Sequence, residues 1–144
     1  MPTKQKENAM ERTASCLCGD LRITVEGDPA RVNMCNCTEC QRRSGSVFQI
    51  GAFFDESQLR SIDGDSKVYT RTGGSGNLID LHFCPTCGVS VYFRPAARPT
   101  VLGIHGGCFN DPEFPQPNTA GWTKSKHSWV TVPDGTEAFE EFSH

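Results

Sequence analysis

Three clusters of cysteines constrain this chain more than any other feature of its sequence. The chain has eight cysteines among 144 residues. Seven of them fall in three short motifs, and Cys108 stands alone; the motifs are Cys-Leu-Cys-Gly at 16–19, Cys-Asn-Cys-Thr-Glu-Cys at 35–40 and Cys-Pro-Thr-Cys-Gly at 84–88. Two cysteines so closely spaced in a tight turn direct their sulfurs at one centre, as the thiolate ligands of Zn²⁺ do. The spacing therefore indicates metal binding.

Disulfide bonds are the main alternative use for so many cysteines. Residues 1–12 are polar and charged and lack the apolar segment of a secretory signal, so we expect a cytoplasmic protein, in which disulfides are rare. No stretch approaches the ~18 consecutive apolar residues of a membrane span, so we expect no membrane partner. The formal charge of −3 opposes binding to nucleic acid, whose affinity is largely electrostatic. Metal ligation or catalysis is therefore the favoured use of the cysteines.

The cysteines can be divided between metal ions in more than one way. The first and third motifs supply two sulfurs each, which makes a complete set of four: Cys16, Cys18, Cys84 and Cys87. The middle motif supplies three, Cys35, Cys37 and Cys40, and leaves a position open for water or substrate. Closed four-ligand sites are typical of structural zinc, and open three-ligand sites of catalytic zinc. Two alternatives stay open: Cys37 and Cys40 could join Cys84 and Cys87 in an ordinary zinc ribbon, or both metals could serve only folding.

Short runs of alternating apolar and polar residues predict a mainly β fold. We expect strands at 21–25, 47–54, 67–71, 79–83, 89–93, 101–104 and 128–132, with the two runs around residues 84–88 forming a hairpin. Short helical turns are expected at 38–43 and 57–61, and a proline-rich loop at 110–120. We expect residues 1–13 to be a disordered tail and residues 14–144 to be one zinc-stabilised β domain, with Trp129 and Phe139 in its core.

The motifs Cys-x-Cys-Gly, Cys-x-Cys-x-x-Cys and Phe-Cys-x-x-Cys-Gly resemble, in order and spacing, those of the glutathione-dependent formaldehyde-activating enzyme family, which includes centromere protein V. Further segments are similar to that family: Ser44-Gly45 and Phe48, the turn at 107–112, and Trp129, Pro133-Asp134-Gly135 and Phe139. The resemblance covers roughly residues 14–140. It is far more specific than a single Cys-x-x-Cys pair.

The resemblance implies a β-rich, tent-like zinc fold with two Zn²⁺ per chain. It implies a structural zinc on Cys16, Cys18, Cys84 and Cys87, and a second zinc on Cys35, Cys37 and Cys40. It also implies the addition of glutathione to formaldehyde, a carbon–sulfur lyase activity of the S-(hydroxymethyl)glutathione synthase type. Asn36 stands where the family often has His, and Leu81-His82 where it often has Arg. If those positions bind glutathione, the thiol differs here, so we expect glutathione or a similar thiol with formaldehyde or another small aldehyde.

Residue chemistry suggests a mechanism in which Cys35, Cys37 and Cys40 form the catalytic site. A zinc held by these three residues would bind the substrate thiol at its open position, where coordination ionises a thiol. The resulting thiolate would attack the aldehyde. Polarisation of the carbonyl by the metal is the alternative, but three thiolates leave the site negative and favour thiol delivery.

Several other residues could contribute to this site. Cys108 could close it, or be a small buried hydrophobe. His82, expected from strand parity to face away from the core, could be a fourth ligand or a surface residue, and His105 and His127 have weaker claims. Arg42 and Arg43 could meet a substrate carboxylate or form a solvated basic pair.

The loop at 73–76 could cradle an anion, although a plain hairpin connection is the simpler interpretation of its sequence. A non-enzymatic zinc scaffold or redox-sensing module is the alternative function for the whole chain. Four protein ligands at the middle site would favour that alternative. Three protein ligands would favour an enzyme.

Overall fold

The computed structural model describes residues 10–73 and 76–141, and it is built mainly from β-strands, as the sequence predicts. The strands in this part of the chain are β1 (Glu11–Ser15), β2 (Arg22–Glu26), β3 (Arg31–Cys35), β4 (Gln49–Asp55), β5 (Leu59–Asp63), β6 (Lys67–Thr72), β7 (Leu78–Phe83), β8 (Ser90–Pro95), β9 (Val101–His105), β10 (Thr119–Gly121) and β11 (Glu137–Ala138). The helix α1 (Thr38–Ser44) and 3-10 turns at Glu56–Gln58, Gly106–Phe109 and Thr123–Ser125 lie between them. None of the described helices has the length and apolar character needed to cross a bilayer.

Two sheets pack against each other. The smaller sheet has the order β1-β2-β5 and is antiparallel. The larger has the order β11-β10-β3-β4-β9-β8-β7-β6 and does not close into a barrel. Its pairs are antiparallel except at one edge, where β10 joins β3 and β11 joins β10 in parallel. The hairpin predicted around residues 84–88 is the antiparallel pair β7–β8.

Apolar side chains between the two sheets form the main core. Leu21, Ile23 and Val25, which the alternation places on one face of a strand, are each 0% exposed. They belong to one buried cluster with side chains from β4 and β9, among them Phe54 and Ile104. Because alternate residues of a strand point to opposite faces, the intervening residues of β4 and β9 lie on the far face of the larger sheet. That far face carries the candidate site.

A smaller apolar cluster covers part of this far face. Phe53, Leu81 and Phe93 are buried there, and the rings of Phe53 and Phe93 meet edge to face with centroids 5.6 Å apart. Gly103 on β9 lies directly beneath Phe93, since an added Cβ would come within 2.2 Å of two ring carbons. The absence of a side chain at Gly103 therefore allows the ring to lie on the sheet.

The strand predicted at 128–132 is wrong. Val130 N donates to His127 O at 3.0 Å in a turn, and Lys126 Nζ donates to Val130 O at 2.7 Å. These bonds occupy backbone groups that a sheet ladder would need, and the neighbouring sheet edge is taken by β10 and β11. Trp129, which was expected in the core, is 70% exposed, and Phe139 is half-buried.

Three boundaries also differ from those predicted. The turn expected at 57–61 is confined to Glu56–Gln58, because the chain then enters β5 and pairs with β2. The loop expected at 110–120 ends earlier, where β10 begins at Thr119. The expected tail at 1–13 overlaps β1, which begins at Glu11 and pairs along its length with β2. Residues 1–9 lie outside the described part of the chain.

Candidate metal centres and active-site cavity

Four cysteines from two distant turns meet at one end of the sheets. The Sγ atoms of Cys16, Cys18, Cys84 and Cys87 lie within 4.8 Å of one another. Cys18 Sγ is 3.7 Å from Cys16 Sγ and 3.6 Å from Cys84 Sγ. A tetrahedron with Zn–S bonds of ~2.3 Å has S···S edges of about 3.8 Å, whereas a disulfide would need ~2.05 Å. The donor set therefore fits a zinc ion.

Tight turns with glycine in the left-handed region build this four-sulfur group. Gly19 has φ +86° and Gly88 has φ +79°, conformations that other residues rarely adopt. Each turn also directs backbone N–H groups at sulfur: Leu21 N lies 3.3 Å from Cys16 Sγ, and Thr86 N lies 3.4 Å from Cys84 Sγ. Such donors stabilise negative charge on the sulfurs.

Cys108 lies beside this first group and outside the second one. Its Sγ contacts Ser90 O at 3.7 Å, and the side chain packs against the main core. Burial, together with the nearby Cys16 and Cys87, raises the pKa of Cys108 to about 11. Cys108 is therefore a small, half-buried side chain at the edge of the core, and it has no part in closing the middle site.

The second group consists of the three cysteines of the middle motif. Cys35 ends β3, Cys37 caps α1 by accepting a hydrogen bond from Cys40 N at 3.3 Å, and Cys40 lies in the first turn of that helix. Their sulfurs lie within 4.8 Å of one another, and no further histidine, cysteine or carboxylate of the described residues joins the group. This leaves three protein ligands and an open direction.

The pKa values of Cys40 and Cys35 are shifted in opposite directions. Hydrogen bonds from Cys35 and Cys37, and then the nearby Arg43, hold the pKa of Cys40 far below its ordinary value. The thiols of Cys37 and Cys40, with burial, raise the pKa of Cys35. Three cysteine sulfurs so close together repel one another when ionised, and a divalent cation would compensate their charge. In this respect too, the donor set suits zinc.

Asn36 anchors this motif to the rest of the sheet. It is 0% exposed, and its Nδ2 donates to Gly121 O on β10 at 3.1 Å. The backbone carbonyl oxygen of Asn36 accepts hydrogen bonds from Gln41 Nε2 at 2.9 Å and from Ser125 Oγ at 2.8 Å. Asn36 does not line the cavity described next, so in this chain the residue supports the motif rather than forming part of the cavity wall.

A cavity of about 300 Å³ opens in front of the three-sulfur group. Its apolar wall includes Phe53 and Phe93. The charged side chains that line it are mostly cationic: Arg43, Arg71, Arg98 and Lys124, with Glu39 the single carboxylate among its described lining residues. Glu39 is paired with Arg71 at 2.8 Å, and Lys124 with Glu141 outside the cavity. The charged lining therefore has an excess of cations, which suits an anionic ligand.

Arg42 and Arg43 were both candidates for binding a substrate carboxylate, and only Arg43 lies at the site. Arg43 lines the cavity, and its Nη2 lies 3.9 Å from Cys40 Sγ. Arg42, on the other side of α1, is exposed and does not line the cavity.

His105, ranked low from the sequence, is 6% exposed and lies 2.9 Å from Arg43 Nη1 through its Nε2. Burial, and then Arg43, place the pKa of His105 well below 6.5. Gln49 contacts the same imidazole from β4. The sequence does contain a clue to both Gln49 and His105. Each is a polar residue at a strand position where the alternation predicts a buried side chain.

His82 lies away from both sulfur groups. Contrary to expectation, it shares the core-bearing face of the larger sheet, where it stacks on Tyr92 with ring centroids 4.4 Å apart and hydrogen-bonds Ser66 Oγ at 2.9 Å. Ile79 and Leu81, which alternate with His82 along β7, face the cavity side of the sheet. The prediction is right that His82 lies opposite Ile79 and Leu81, but both faces of β7 are covered, so the face that carries His82 is packed as well. His82 therefore closes neither site.

The glycine-rich connection at 73–76 joins β6 to β7. Gly73 lines the cavity, and Gly76 N donates to Gly73 O at 3.0 Å in a turn. The loop is a connection between two paired strands, as the simpler interpretation predicts, and the possible anion cradle falls partly on residues 74 and 75, which lie outside the described residues.

The comparison with known proteins agrees with this architecture. Residues 11–125 match the family model described as "Glutathione-dependent formaldehyde-activating enzyme", and the chain therefore belongs to this family, as its motifs predict. A protein of Fusarium vanettenii, provisionally named a glutathione-dependent formaldehyde-activating enzyme, is 23% identical over 128 residues, which cover 85% of this chain and 68% of that protein. A crystal structure of a Rhodobacter sphaeroides protein matches with a TM-score of 0.52 at 24% identity, covering 69% of this chain and 91% of the other. This last similarity concerns the fold alone.

Proposed function

We propose that the chain is a cytoplasmic, zinc-dependent carbon–sulfur lyase that joins glutathione or a similar thiol to formaldehyde or another small aldehyde. One observation carries the proposal: the three-sulfur group of Cys35, Cys37 and Cys40 opens into a cavity lined by cationic side chains. A purely structural site is expected to be closed by four protein ligands. Family membership supports the reaction type, while the identity of the thiol and the aldehyde has to come from the site itself.

The proposed metal content is two Zn²⁺ per chain. Cys16, Cys18, Cys84 and Cys87 would hold the structural ion, and Cys35, Cys37 and Cys40 the ion of the reaction site. A bound zinc at the reaction site supplies positive charge that favours the ionised form of a thiol at neutral pH. Binding and orientation of the two substrates would come from the residues of the cavity wall.

The charge of the cavity indicates the class of thiol. Carboxylates of a peptide thiol such as glutathione would be attracted by the cationic lining, which runs from the half-buried Arg43 to the exposed Arg98. The buried rings of Phe53 and Phe93 supply an apolar part of the lining, and apolar surroundings strengthen electrostatic attraction inside a cavity. A neutral thiol of the same size is expected to bind less tightly.

The test combines metal analysis with a rate measurement. Because thiols add to formaldehyde without a catalyst, exchange NMR of isotope-labelled formaldehyde with glutathione should be compared with and without protein. Wild-type protein should contain two zinc ions and exceed the spontaneous rate. Cys37→Ser, which keeps a capping oxygen for α1, should lose one zinc and the added rate.

Cys108→Ala is the matched control, since this cysteine belongs to neither sulfur group. The ethyl ester of glutathione tests charge selection and should show a raised KM. Wild-type protein that holds two zinc ions but leaves the spontaneous rate unchanged, with glutathione and with small neutral thiols, would contradict the enzyme proposal and support a zinc scaffold.

A further inference from the structure

The guanidinium of Arg43 lies at the junction of three groups on the cavity wall. Its Nη1 lies 2.9 Å from His105 Nε2, its Nη2 3.9 Å from Cys40 Sγ, and its Cζ 5.8 Å from the centre of the Phe93 ring. Among the described cationic side chains, Arg43 is the one with a hydrogen bond to a sulfur of the three-cysteine group. It is a permanent cation held against the reacting end of the cavity.

His105 can hold Arg43 in this place only in one protonation state. Arginine has donors and no acceptor, so Nε2 of His105 must carry a lone pair and the proton must reside on Nδ1. Burial and the adjacent cation both favour this neutral imidazole.

Gln49 completes the arrangement. Its Oε1 is buried without a hydrogen-bond partner among the described residues, while its Nε2 lies nearest His105 Nδ1 and 3.2 Å from His105 Nε2. Because amide oxygen and nitrogen are assigned from the network, exchanging them satisfies both groups: Nδ1–H then donates to Oε1. The result is a chain of donors and acceptors from Gln49 through His105 to Arg43, ending at Cys40.

The proposed reaction creates negative charge near this cation. When a thiol adds to an aldehyde, a sulfur–carbon bond forms, the carbonyl π bond breaks, and its electron pair moves to the oxygen as an alkoxide. The proton released by the thiol finally resides on that oxygen, so no further reagent is needed. Because the alkoxide oxygen is two bonds from the sulfur, it forms within reach of a donor that contacts the sulfur group.

We propose that Arg43 is a catalytic residue that stabilises this alkoxide, and that His105 is the positioning residue that holds Arg43 beside Cys40. This inference rests on the proposed thiol–aldehyde reaction. Preorganised donors at a developing oxyanion contribute about 10²–10³-fold to kcat. An exposed arginine on the same helix has no such role, which makes Arg42 the matched comparison.

The kinetic test uses the zinc-loaded full chain. Arg43→Ala should lower kcat by roughly 100-fold, a larger change than the rise in KM that follows from losing one of the cavity's cations, and added guanidinium chloride should restore part of kcat. Arg42→Ala should behave as wild type. His105→Phe, which keeps a ring against Phe93 but has no acceptor, should lower kcat by about 10-fold, the lower range for a supporting hydrogen bond.

The second measurement is independent of activity. ¹⁵N NMR of histidine-labelled protein, assigned with His105→Phe, should show Nδ1 protonated and Nε2 bare at neutral pH, and Arg43→Ala should remove this tautomer preference. Nε2 protonated in wild type would overturn the inference.

The kinetic outcomes distinguish a failure of the proposed function from a failure of the proposed role of Arg43. An inactive wild type refutes the proposed function and this inference together. An active wild type refutes the inference alone if Arg43→Ala retains its kcat, loses metal in proportion to activity, or is not restored by guanidinium.

Discussion

Replacing one cysteine of each sulfur group by serine should separate the group that holds the fold together from the group that serves the reaction. Cys18 and Cys84 are 66 positions apart in the chain. Cys35 and Cys40 are only five positions apart. Cys18→Ser and Cys37→Ser form a matched pair, because neither thiol is buried and serine preserves the cap that Cys37 provides for α1.

The expected magnitude follows from the length of chain that each of the two proposed metal ions would close. In the chain-entropy treatment of cross-links, a loop of 66 residues is worth about 4 kcal/mol and a loop of five residues about 2 kcal/mol. Loss of the first metal should therefore lower the free energy of unfolding by about 2 kcal/mol more than loss of the second. The first group also borders the main core, since Cys84 is 0% and Cys16 4% exposed.

The assay is equilibrium urea unfolding at one fixed free zinc concentration, with zinc content measured on each sample. For an m value of about 2 kcal/mol/M, the urea midpoint of Cys18→Ser should fall roughly 1 M further than that of Cys37→Ser. Cys37→Ser should be folded and inactive. Equal losses of stability, or a larger loss in Cys37→Ser, would refute the assignment of the four-sulfur group to the fold.

Three further outcomes are expected. Gly103→Ala should lower the free energy of unfolding by about 1–3 kcal/mol, because its Cβ would lie 2.2 Å from the Phe93 ring, whereas Gly107→Ala meets nothing within 4 Å and should not; equal urea midpoints would contradict this. Wild-type stability should decrease as pH falls below 6.5, because burial depresses the pKa of His105 in the folded state and the unfolded chain takes up the proton first. His105→Gln should flatten that part of the profile of unfolding free energy against pH, and an unchanged slope would count against the buried neutral imidazole. Cys108→Ala should keep two zinc ions and full activity, which metal analysis and the exchange assay can check; loss of a zinc would identify Cys108 as a ligand.

Local patterns were sufficient for the family, the fold class and six of the eleven described strands, β2, β4, β6, β7, β8 and β9, but not for β1, β3, β5, β10 and β11. The spacing of cysteines within each motif is a property of one turn, so it can be recognised without any knowledge of the tertiary structure. The same holds for alternation such as that of Leu21, Ile23 and Val25, because each strand reports its own buried face. The segment at 128–132 shows the limit: its alternation resembles a strand, but a strand also needs a partner, and β10 and β11 occupy that edge.

Residues of the cavity wall were harder to predict because they come from many separate elements. Arg71 lies on β6, Arg98 follows β8 and Lys124 lies in the Thr123–Ser125 turn, and nothing local distinguishes them from solvated surface cations. His105 appeared weak in the sequence because its importance depends on Arg43, which is 62 positions away.

The sequence by itself determined the ligand chemistry: sulfur donors in motifs of two or three, on a β-rich chain of one known family. Which motifs share a centre stayed open between a four-plus-three division and a zinc ribbon, because distances between motifs depend on how the sheets pack. The tertiary structure brings Cys16 and Cys18 to Cys84 and Cys87, and leaves the middle motif facing a cationic cavity. Turn geometry is set by neighbouring residues, whereas a cavity exists only where distant strands converge.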